Sequence, residues 1–318
     1  MSRLLNLILN ENMKIFRRLR TWLTIAILIV ITAAVLFFSE QLAASQPNGG
    51  GDWRTGVQQE IVHDRSMLAK NGLPDQEKAE LERKLLVNQY RLAHDLPPAG
   101  HTLWGSVLTA SHLMILVTIF TVIAAADTVA GEFSGGTIKL LLIRPASRSA
   151  ILLSKYVSAL LFSLTLFLIL FATAFTVSGM MNGFHDVGAP HLYTGEDGGV
   201  KQANMVRHVL GTYGYQGVQL LMIVTLAFMI STVFRSSSLA IACSIGIMFI
   251  GSIVAGFLTS FPWAKYVLFL NTDLTVYLDG TPPIPGMTLV FSITVLAVYY
   301  SLFMASAWLV FNRRDVAS

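Results

Sequence analysis

Long apolar blocks alternate with polar segments along this chain, and the pattern predicts six membrane-spanning helices. A helix needs about 20 mainly apolar residues to cross the hydrocarbon core of a bilayer. Blocks of that kind lie at residues 22–39, 105–127, 150–179, 213–234, 238–260 and 288–311. Apart from Asp127, the last residue of the second block, Lys155 near the start of the third block is the one charged residue in them. The predicted fold class is therefore all-α, a polytopic membrane helix bundle of about six transmembrane helices.

The basic residues are unevenly distributed around the blocks, and this predicts how the bundle is oriented. The two short loops on one side carry only Lys201, Arg207 and Lys265. The longer loop at 40–104 is translocated regardless of its charge. The flanks on the other side carry twelve basic residues: Arg3, Lys14, Arg17, Arg18, Arg20, Lys139, Arg144, Arg148, Lys155, Arg235, Arg313 and Arg314. Both termini, including the tail at 312–318, are therefore expected in the cytoplasm.

The segments that connect the blocks have patterns of their own. Residues 1–21 place apolar residues at helical spacing among charged ones, which predicts a cytoplasmic amphipathic interfacial helix. A merely basic anchor for the first span is the alternative, and a cleaved signal peptide is disfavoured because the basic flank is long. Residues 40–104 hold two helical patterns separated by Gly and Pro, which predict a helical extracytoplasmic insertion between the first two spans. The 180–212 loop is Gly-rich and irregular, and 261–287 predicts an interfacial or re-entrant segment.

Composition and motifs exclude several classes of protein. Hydrophobic residues make up 54% of the 318 residues and charged residues 13%, a balance that would give a soluble domain large exposed apolar patches. The net charge of +4 comes with no nucleic-acid-binding pattern. The sequence contains no G-x-x-x-x-G-K-[ST] loop, H-E-x-x-H motif or G-x-S-x-G elbow. We therefore expect no enzymatic activity and no cofactor on this chain.

The histidines and the single cysteine are the remaining candidates for chemistry. All seven histidines fall outside the membrane on the predicted outer side or in the outer half of a span: His63, His94, His101, His112, His185, His191 and His208. Neutral imidazole is a common metal ligand, but no pair of them has the spacing of a ligand set, so we predict no metal site. His112, inside the second block, is better explained by a hydrogen bond to a neighbouring helix than by proton coupling. Cys243 is interpreted as a small buried side chain.

The predicted cytoplasmic segment at 128–149 has an apolar centre between polar ends. Gly135 and Gly136 allow an unusual turn. Thr137 or Ser134 can cap a short helix, which Pro145 would end. A short helix held between two spans would transmit motion at the cytoplasmic surface into both of them. An ordinary interfacial loop is the alternative.

An ordered series of residues runs through this segment. It comprises Glu132, Gly136, Thr137, Leu140, Leu141, Leu142, Arg144, Pro145, Ser147, Arg148 and Lys155. Together with residues 10–22 and 311–315, this series resembles the signature of the ABC-2 family of ABC-exporter permeases. The resemblance implies an ATPase-coupling surface formed by Glu132, Gly136, Thr137, Lys139, Leu141, Arg144, Pro145 and Arg148. It also implies a flanking interfacial helix that carries Glu11, Lys14, Arg17 and Arg18.

The resemblance implies a function and a set of partners. The chain would be the permease subunit of an ATP-driven exporter in a bacterial cell membrane, where it contacts lipid and forms the translocation pathway. Its partners would be cytoplasmic ABC ATPase subunits, which carry the ATP and Mg²⁺, and a second permease that is identical or different. Another interpretation is a non-transporting membrane sensor or assembly protein that works through its extracytoplasmic helical loop.

Overall fold

The computed structural model describes residues 2–45, 53–69, 75–98, 102–137, 146–184, 190–195 and 198–313. These residues form eleven α-helices and one two-stranded antiparallel sheet. The helices are α1 (Ser2–Phe16), α2 (Leu19–Ser45), α3 (Trp53–Leu68), α4 (Asp75–His94), α5 (Leu103–Ser111), α6 (Met114–Ser134), α7 (Arg148–Asn182), α8 (Met205–Val233), α9 (Ser237–Leu258), α10 (Leu268–Thr272) and α11 (Leu289–Arg313). The strands are β1 (Pro190–Thr194) and β2 (Val200–Asn204).

Within the described part of the chain, six helices are long and apolar enough to cross a membrane: α2, α6, α7, α8, α9 and α11. Many of their large apolar side chains are exposed on the outside of the bundle, which suits contact with lipid rather than water. The predicted all-α fold with six membrane-spanning helices is therefore confirmed. The predicted helical loop between the first two spans is also present, as α3 and α4. The orientation of the termini stays a prediction.

The second apolar block forms two helices instead of the single span predicted at 105–127. Thr102 caps α5, since its Oγ accepts a hydrogen bond of 3.2 Å from the Gly105 N–H. This helix ends before His112, and α6 begins at Met114. Helix α6 continues to Ser134, so residues 128–134 of the predicted coupling segment are helical. Polar residues are tolerated at this end of α6 because their charges are paired, as described below.

Helices α6, α7 and α8 pack together in the centre of the bundle. Val117, Leu166 and Val224 are fully buried in their shared core. Ser231 of α8 is also fully buried, and its Oγ donates a hydrogen bond of 2.6 Å to the Ala126 carbonyl of α6. The same oxygen accepts hydrogen bonds from the backbone N–H groups of Val129 and Ala130, further along α6, at 3.1 and 3.0 Å. A side chain inserted beside the helical hydrogen bonds in this way is a known cause of local bending.

The 180–212 segment, predicted to be irregular, contains the β1–β2 hairpin. The strands pair antiparallel, with His191 opposite Ala203. Asn204 then caps α8, because its Oδ1 accepts a hydrogen bond of 3.1 Å from the Arg207 N–H. The helix therefore begins at Met205, well before the predicted start at 213. Cross-strand pairing supplies the backbone hydrogen bonds that the glycine-rich sequence did not indicate.

The segment at 261–287 is a series of short turns rather than one regular element. It contains 3₁₀ helices at Pro262–Tyr266 and Thr275–Tyr277, with α10 between them. Asn271 of α10 is fully buried, and its Nδ2 donates hydrogen bonds of 2.8 Å to the carbonyls of Lys265 and Val267. Its Oδ1 accepts a bond of 2.7 Å from Ser292 of α11. One buried amide thus fixes this segment against the last span.

Candidate functional site

Helix α1 lies against the first turns of α7, at the opposite end of the bundle from the β hairpin. The Ser158 hydroxyl donates a hydrogen bond of 3.2 Å to the Ile8 carbonyl. The rings of Phe16 and Phe162 meet edge to face, with 6.1 Å between their centroids. The turn into α2 is held by Thr21, whose Oγ1 donates to the Ile15 carbonyl at 2.6 Å. These contacts dock α1 on the spans, so that it is no independent tail.

The polarity of α1 is unusual for a helix packed on a protein. Leu5, Leu9 and Met13 follow one another at intervals of four residues and are exposed, whereas Glu11 is buried. Residues four apart lie on one face of a helix. The apolar face formed by Leu5, Leu9 and Met13 therefore points away from the bundle, whereas Glu11 points into it. This arrangement suits a helix whose outer face contacts lipid.

Four charged side chains from three helices form an ionic junction, defined here as Glu11, Lys14, Glu132 and Lys155. The Lys155 Nζ lies 2.9 Å from Glu11 Oε2 and 2.9 Å from Glu132 Oε1. The Lys14 Nζ lies 2.8 Å from Glu11 Oε1 and 2.9 Å from Glu132 Oε1. Thr137 donates a further hydrogen bond to the other oxygen of Glu132. The junction links α1, the end of α6 and the start of α7 through alternating positive and negative charges.

Burial makes this junction different from a surface salt bridge. The Lys155 side chain is 2% exposed and those of Glu11 and Glu132 are 11% and 13% exposed. Burial would raise the pKa of Glu11, but the charge of Lys155 and the hydrogen bonds from both lysines outweigh it and hold the pKa below its usual range. Burial would lower the pKa of Lys14, but its hydrogen bonds to Glu11 and Glu132 raise that pKa instead. Both α1 groups are therefore charged at neutral pH.

A second ionic cluster lies beside the junction, around Asp127 of α6. Arg18, in the α1–α2 turn, and Arg20, in the first turn of α2, both pair with its Oδ2, Arg18 at 2.8 Å. The hydroxyl of Ser237, in the first turn of α9, donates to its other oxygen. Asp127 therefore connects the α1–α2 turn with two further spans. This pairing also explains why α6 remains helical where the sequence predicted its end.

A cavity of about 380 Å³ opens between the ionic junction and the Asp127 cluster. Its walls include all four junction residues together with Arg18, Arg20, Asp127 and Thr137. The charged groups lining it are paired with one another. Ser158 also lines the cavity, but its hydroxyl donates to the Ile8 carbonyl, and no His is among the lining residues to act as its base. This geometry holds helices together and can transmit movement between them.

The structure brings together some of the residues predicted for the coupling site. Glu11, Lys14, Glu132 and Thr137 meet in the junction, and Arg18 lies next to it. Arg17 is exposed beside this region. Gly136 has a positive φ of 68°, as the predicted unusual turn requires.

The other predicted coupling residues lie apart or outside the described residues. Arg148, at the start of α7, donates a hydrogen bond of 3.1 Å to the carbonyl of Asn312 in α11. It therefore links the start of α7 to the end of α11. The remaining ones fall in the segment at 138–145, outside the described residues: Lys139, Leu141, Arg144 and Pro145.

Sequence reasoning did not place Lys155, Asp127 or Arg20 among the site residues. Lys155 did give a signal, as the charged residue inside an otherwise apolar block. A charge at such a position requires a partner. The identity of that partner was hidden, because Glu11 lies 144 positions away along the chain.

The six candidate spans and the charged groups buried at their ends define a polytopic membrane protein. The chain belongs to the family described as protein of unknown function DUF2705, whose family model matches residues 86–317. It is similar to the uncharacterized protein YhcI of Bacillus subtilis strain 168, with 41% identity over 99% of this chain and 100% of that protein. It is also similar to the uncharacterized membrane protein YdbK of the same strain, with 30% identity over 64% of this chain and 79% of YdbK.

These comparisons correct the resemblance to the ABC-2 permeases. The family model that matches is that of DUF2705, and the matching relatives are uncharacterized proteins. The assignment to the ABC-2 family was therefore wrong. Its short motifs, such as Gly-Thr and Arg-Pro, are common dipeptides at helix ends and carry little family information on their own. Any statement about transport has to rest on the chain's own residues.

Proposed function

We propose that this chain is the membrane-spanning subunit of an ATP-driven transporter that takes its energy from a separate ATPase. The ATPase would dock where α1, the end of α6 and the start of α7 meet, and the spans would form the translocation pathway. The ionic junction is the observation that carries this proposal. The junction joins α1 to α6 and α7, so that a displacement of α1 would be transmitted directly into both spans.

The surface around the junction supports docking from the predicted cytoplasmic side. Arg17, Ser134 and Thr137 are exposed there. A Cβ built at Gly136 meets no atom of the described residues within 4 Å, so this part of the chain leaves space beside the turn after α6. The excess of basic residues on this side predicts that it faces the cytoplasm, where ATP is available. The proposed location is thus a bacterial cell membrane.

The proposal assigns ATP and Mg²⁺ to the partner, because the 318 residues contain no phosphate-binding loop. A second membrane subunit, identical or different, would complete the pathway. Exposed apolar residues along α9, among them Ile250, Ile253 and Phe257, leave room for either a lipid or a subunit contact. No enzymatic role is proposed for this chain itself.

Capture from native membranes tests this function. The tagged chain is purified in mild detergent, and its partners are identified and quantified by mass spectrometry. We expect a protein with a Walker A motif at a ratio near one to one, together with ATPase activity in the captured complex. Arg17→Glu, which reverses a charge on the proposed docking surface, should reduce capture at least tenfold. Arg207→Glu reverses an exposed charge at the opposite end and should leave capture unchanged.

Two results would overturn the proposal. One is the absence of any ATPase from the captured material, and the other is equal loss of ATPase in both arginine variants. A specific structural observation then favours the alternative, a sensor or assembly protein. Helices α3 and α4 and the β hairpin enclose a cavity of about 740 Å³ at the opposite end of the bundle, where such a protein would bind its ligand or partner.

A further inference from the structure

Three potential metal ligands, distant in sequence, meet at the end of the bundle opposite the ionic junction. They are His191 in β1, His208 in the first turn of α8 and Asp279 beyond the 3₁₀ helix at Thr275–Tyr277. The Nε2 of His191 lies 3.3 Å from Asp279 Oδ1, and the Nδ1 of His208 lies 3.8 Å from the same oxygen. One ligand atom from each residue lies within 4.8 Å of the other two.

We propose that His191, His208 and Asp279 bind a divalent transition-metal cation of the Zn²⁺ class. Imidazole nitrogen and carboxylate oxygen are the ligands that Zn²⁺ takes together in sites with three protein ligands and one open position. Two imidazoles disfavour the alkaline-earth cations, which prefer sites made entirely of oxygen. This site is independent of the ATPase-docking surface and concerns the other end of the molecule.

The distances between the ligand atoms fit a tetrahedral cation. Bonds of about 2.0–2.1 Å at tetrahedral angles place neighbouring ligand atoms roughly 3.3 Å apart. The two distances to Asp279, 3.3 and 3.8 Å, are close to that spacing. The rings of His191 and His208 lie parallel in contact, with 3.6 Å between centroids and 19° between planes. For both nitrogens to face a cation shared with the carboxylate, the two rings must turn out of this stacked arrangement.

The backbone holds each of the three residues on an ordered element. His191 is paired across the hairpin with Ala203, immediately before the cap of the helix that carries His208. Asp279 lies in a turn closed by the Thr281 N–H, which donates to the Val276 carbonyl at 2.8 Å. Gly280 provides the positive φ of 65° that this turn requires. Ligands on ordered elements lose little conformational freedom when a metal binds.

The site borders a cavity, through which a cation can reach it. The His208 side chain is 7% exposed and that of His191 19%, whereas that of Asp279 is 42% exposed. His191 and Asp279 line the cavity of about 740 Å³ between the β hairpin and α4. A cation would enter from this cavity, and its fourth position would face the cavity and accept water or a ligand from a partner.

Titration of the full-length purified protein with Zn²⁺ tests the inference. The protein is freed of metal by dialysis against a chelator, and binding is measured by calorimetry and by competition with a chromophoric chelator. We expect one equivalent of saturable binding. His191→Gln and Asp279→Asn should each weaken it at least about 100-fold, more than the loss of a group that only orients a ligand. Co²⁺ in place of Zn²⁺ should give the visible absorption of a tetrahedral centre with nitrogen and oxygen ligands.

The controls separate a built site from incidental binding. His63→Ala removes an exposed histidine of α3 and should leave the affinity unchanged. Thermal unfolding without metal shows whether each variant is folded. Asp279→Asn should disturb the fold least, because Asp279 lies at a partly exposed turn. No saturable binding, or binding that persists in both ligand variants, would show that His191 and Asp279 form only a hydrogen-bonded pair, with His208 stacked on His191.

Discussion

Replacing Lys155 with methionine removes the central cation of the ionic junction while keeping most of its volume. With an effective dielectric constant of about 20, each contact of 2.9 Å to Glu11 and Glu132 contributes roughly 6 kcal/mol of attraction. Most of that attraction is offset by the cost of removing the charged groups from water. What remains after Lys155→Met is a pair of buried carboxylates that share only Lys14. Breaking a buried ion pair in this way costs about 3–5 kcal/mol.

Unfolding in mixed micelles of mild and denaturing detergent measures this loss. Lys155→Met should lower the free energy of unfolding by about 3–5 kcal/mol. A second readout follows α1 directly, through a fluorophore attached to a cysteine at exposed Met13 in a background where Cys243 is replaced. Fluorescence anisotropy should fall as α1 loses its attachment to α7. The same label in the unchanged protein sets the reference value.

The double variant Lys155→Met with Glu132→Gln tests whether the charges of the junction interact. Removing one carboxylate removes the repulsion that the single variant leaves behind, so the second substitution should recover at least about 1 kcal/mol. Costs that add independently would show that the charges do not interact. A loss below about 1 kcal/mol for Lys155→Met alone would show that the junction is no stronger than a surface salt bridge.

Three further predictions concern other parts of the molecule. Gly136→Ala should destabilise the protein by about 1–2 kcal/mol, because its φ of 68° suits glycine better than alanine. No clash adds to this cost, since a Cβ there meets no atom of the described residues within 4 Å. Gly136→Asn should cost less, and thermal unfolding compares the two variants. Gly251→Ala in α9 should cost about 1–3 kcal/mol because its Cβ would collide with an aromatic ring of α10, whereas Gly256→Ala in the same helix meets nothing within 4 Å and should not lower the melting temperature. The docking of α1 should depend on pH at both extremes. Because the pKa of Glu11 is lowered, its contribution to the stability of the docked helix is lost as pH falls below 4.5, the usual pKa of a glutamate. Because the pKa of Lys14 is raised, its contribution is lost as pH rises above 10.5, the usual pKa of a lysine. Anisotropy of the α1 label that stays constant from pH 3 to pH 11 would contradict the last of these.

The spans were predictable because a long apolar run in a bilayer has few alternatives to a helix. The ends of the spans were not, since they depend on side chains from other parts of the chain. Helix α6 extends to Ser134 because Asp127 and Glu132 find basic partners in α1, α2 and α7. Its division from α5 near His112 falls inside one apolar block, so the hydrophobic pattern does not indicate it.

The sites show the same limit more sharply. Lys155 could be recognised as unusual from sequence, but Glu11 could not be recognised as its partner, because the pairing depends on how α1 docks. His191, His208 and Asp279 have no spacing that resembles a ligand set, and they meet only because the β hairpin turns back onto α8. The short signature at 128–149 was misleading for the opposite reason. It matched a familiar pattern locally, although the chain as a whole belongs to another family.

The order in which the ribosome makes this chain means that the ionic junction is completed only after α7 has been made. Glu11 and Lys14 leave the ribosome first, and Lys14 lies 118 positions before Glu132 and Glu11 lies 144 before Lys155. Until α6 and α7 have been inserted, the charges of α1 remain at the membrane surface in contact with water. A nascent chain that inserts α7 without recruiting α1 leaves Lys155 paired with Glu132 but without Glu11. The junction is therefore complete only after the first helix has docked on spans that are synthesised after it.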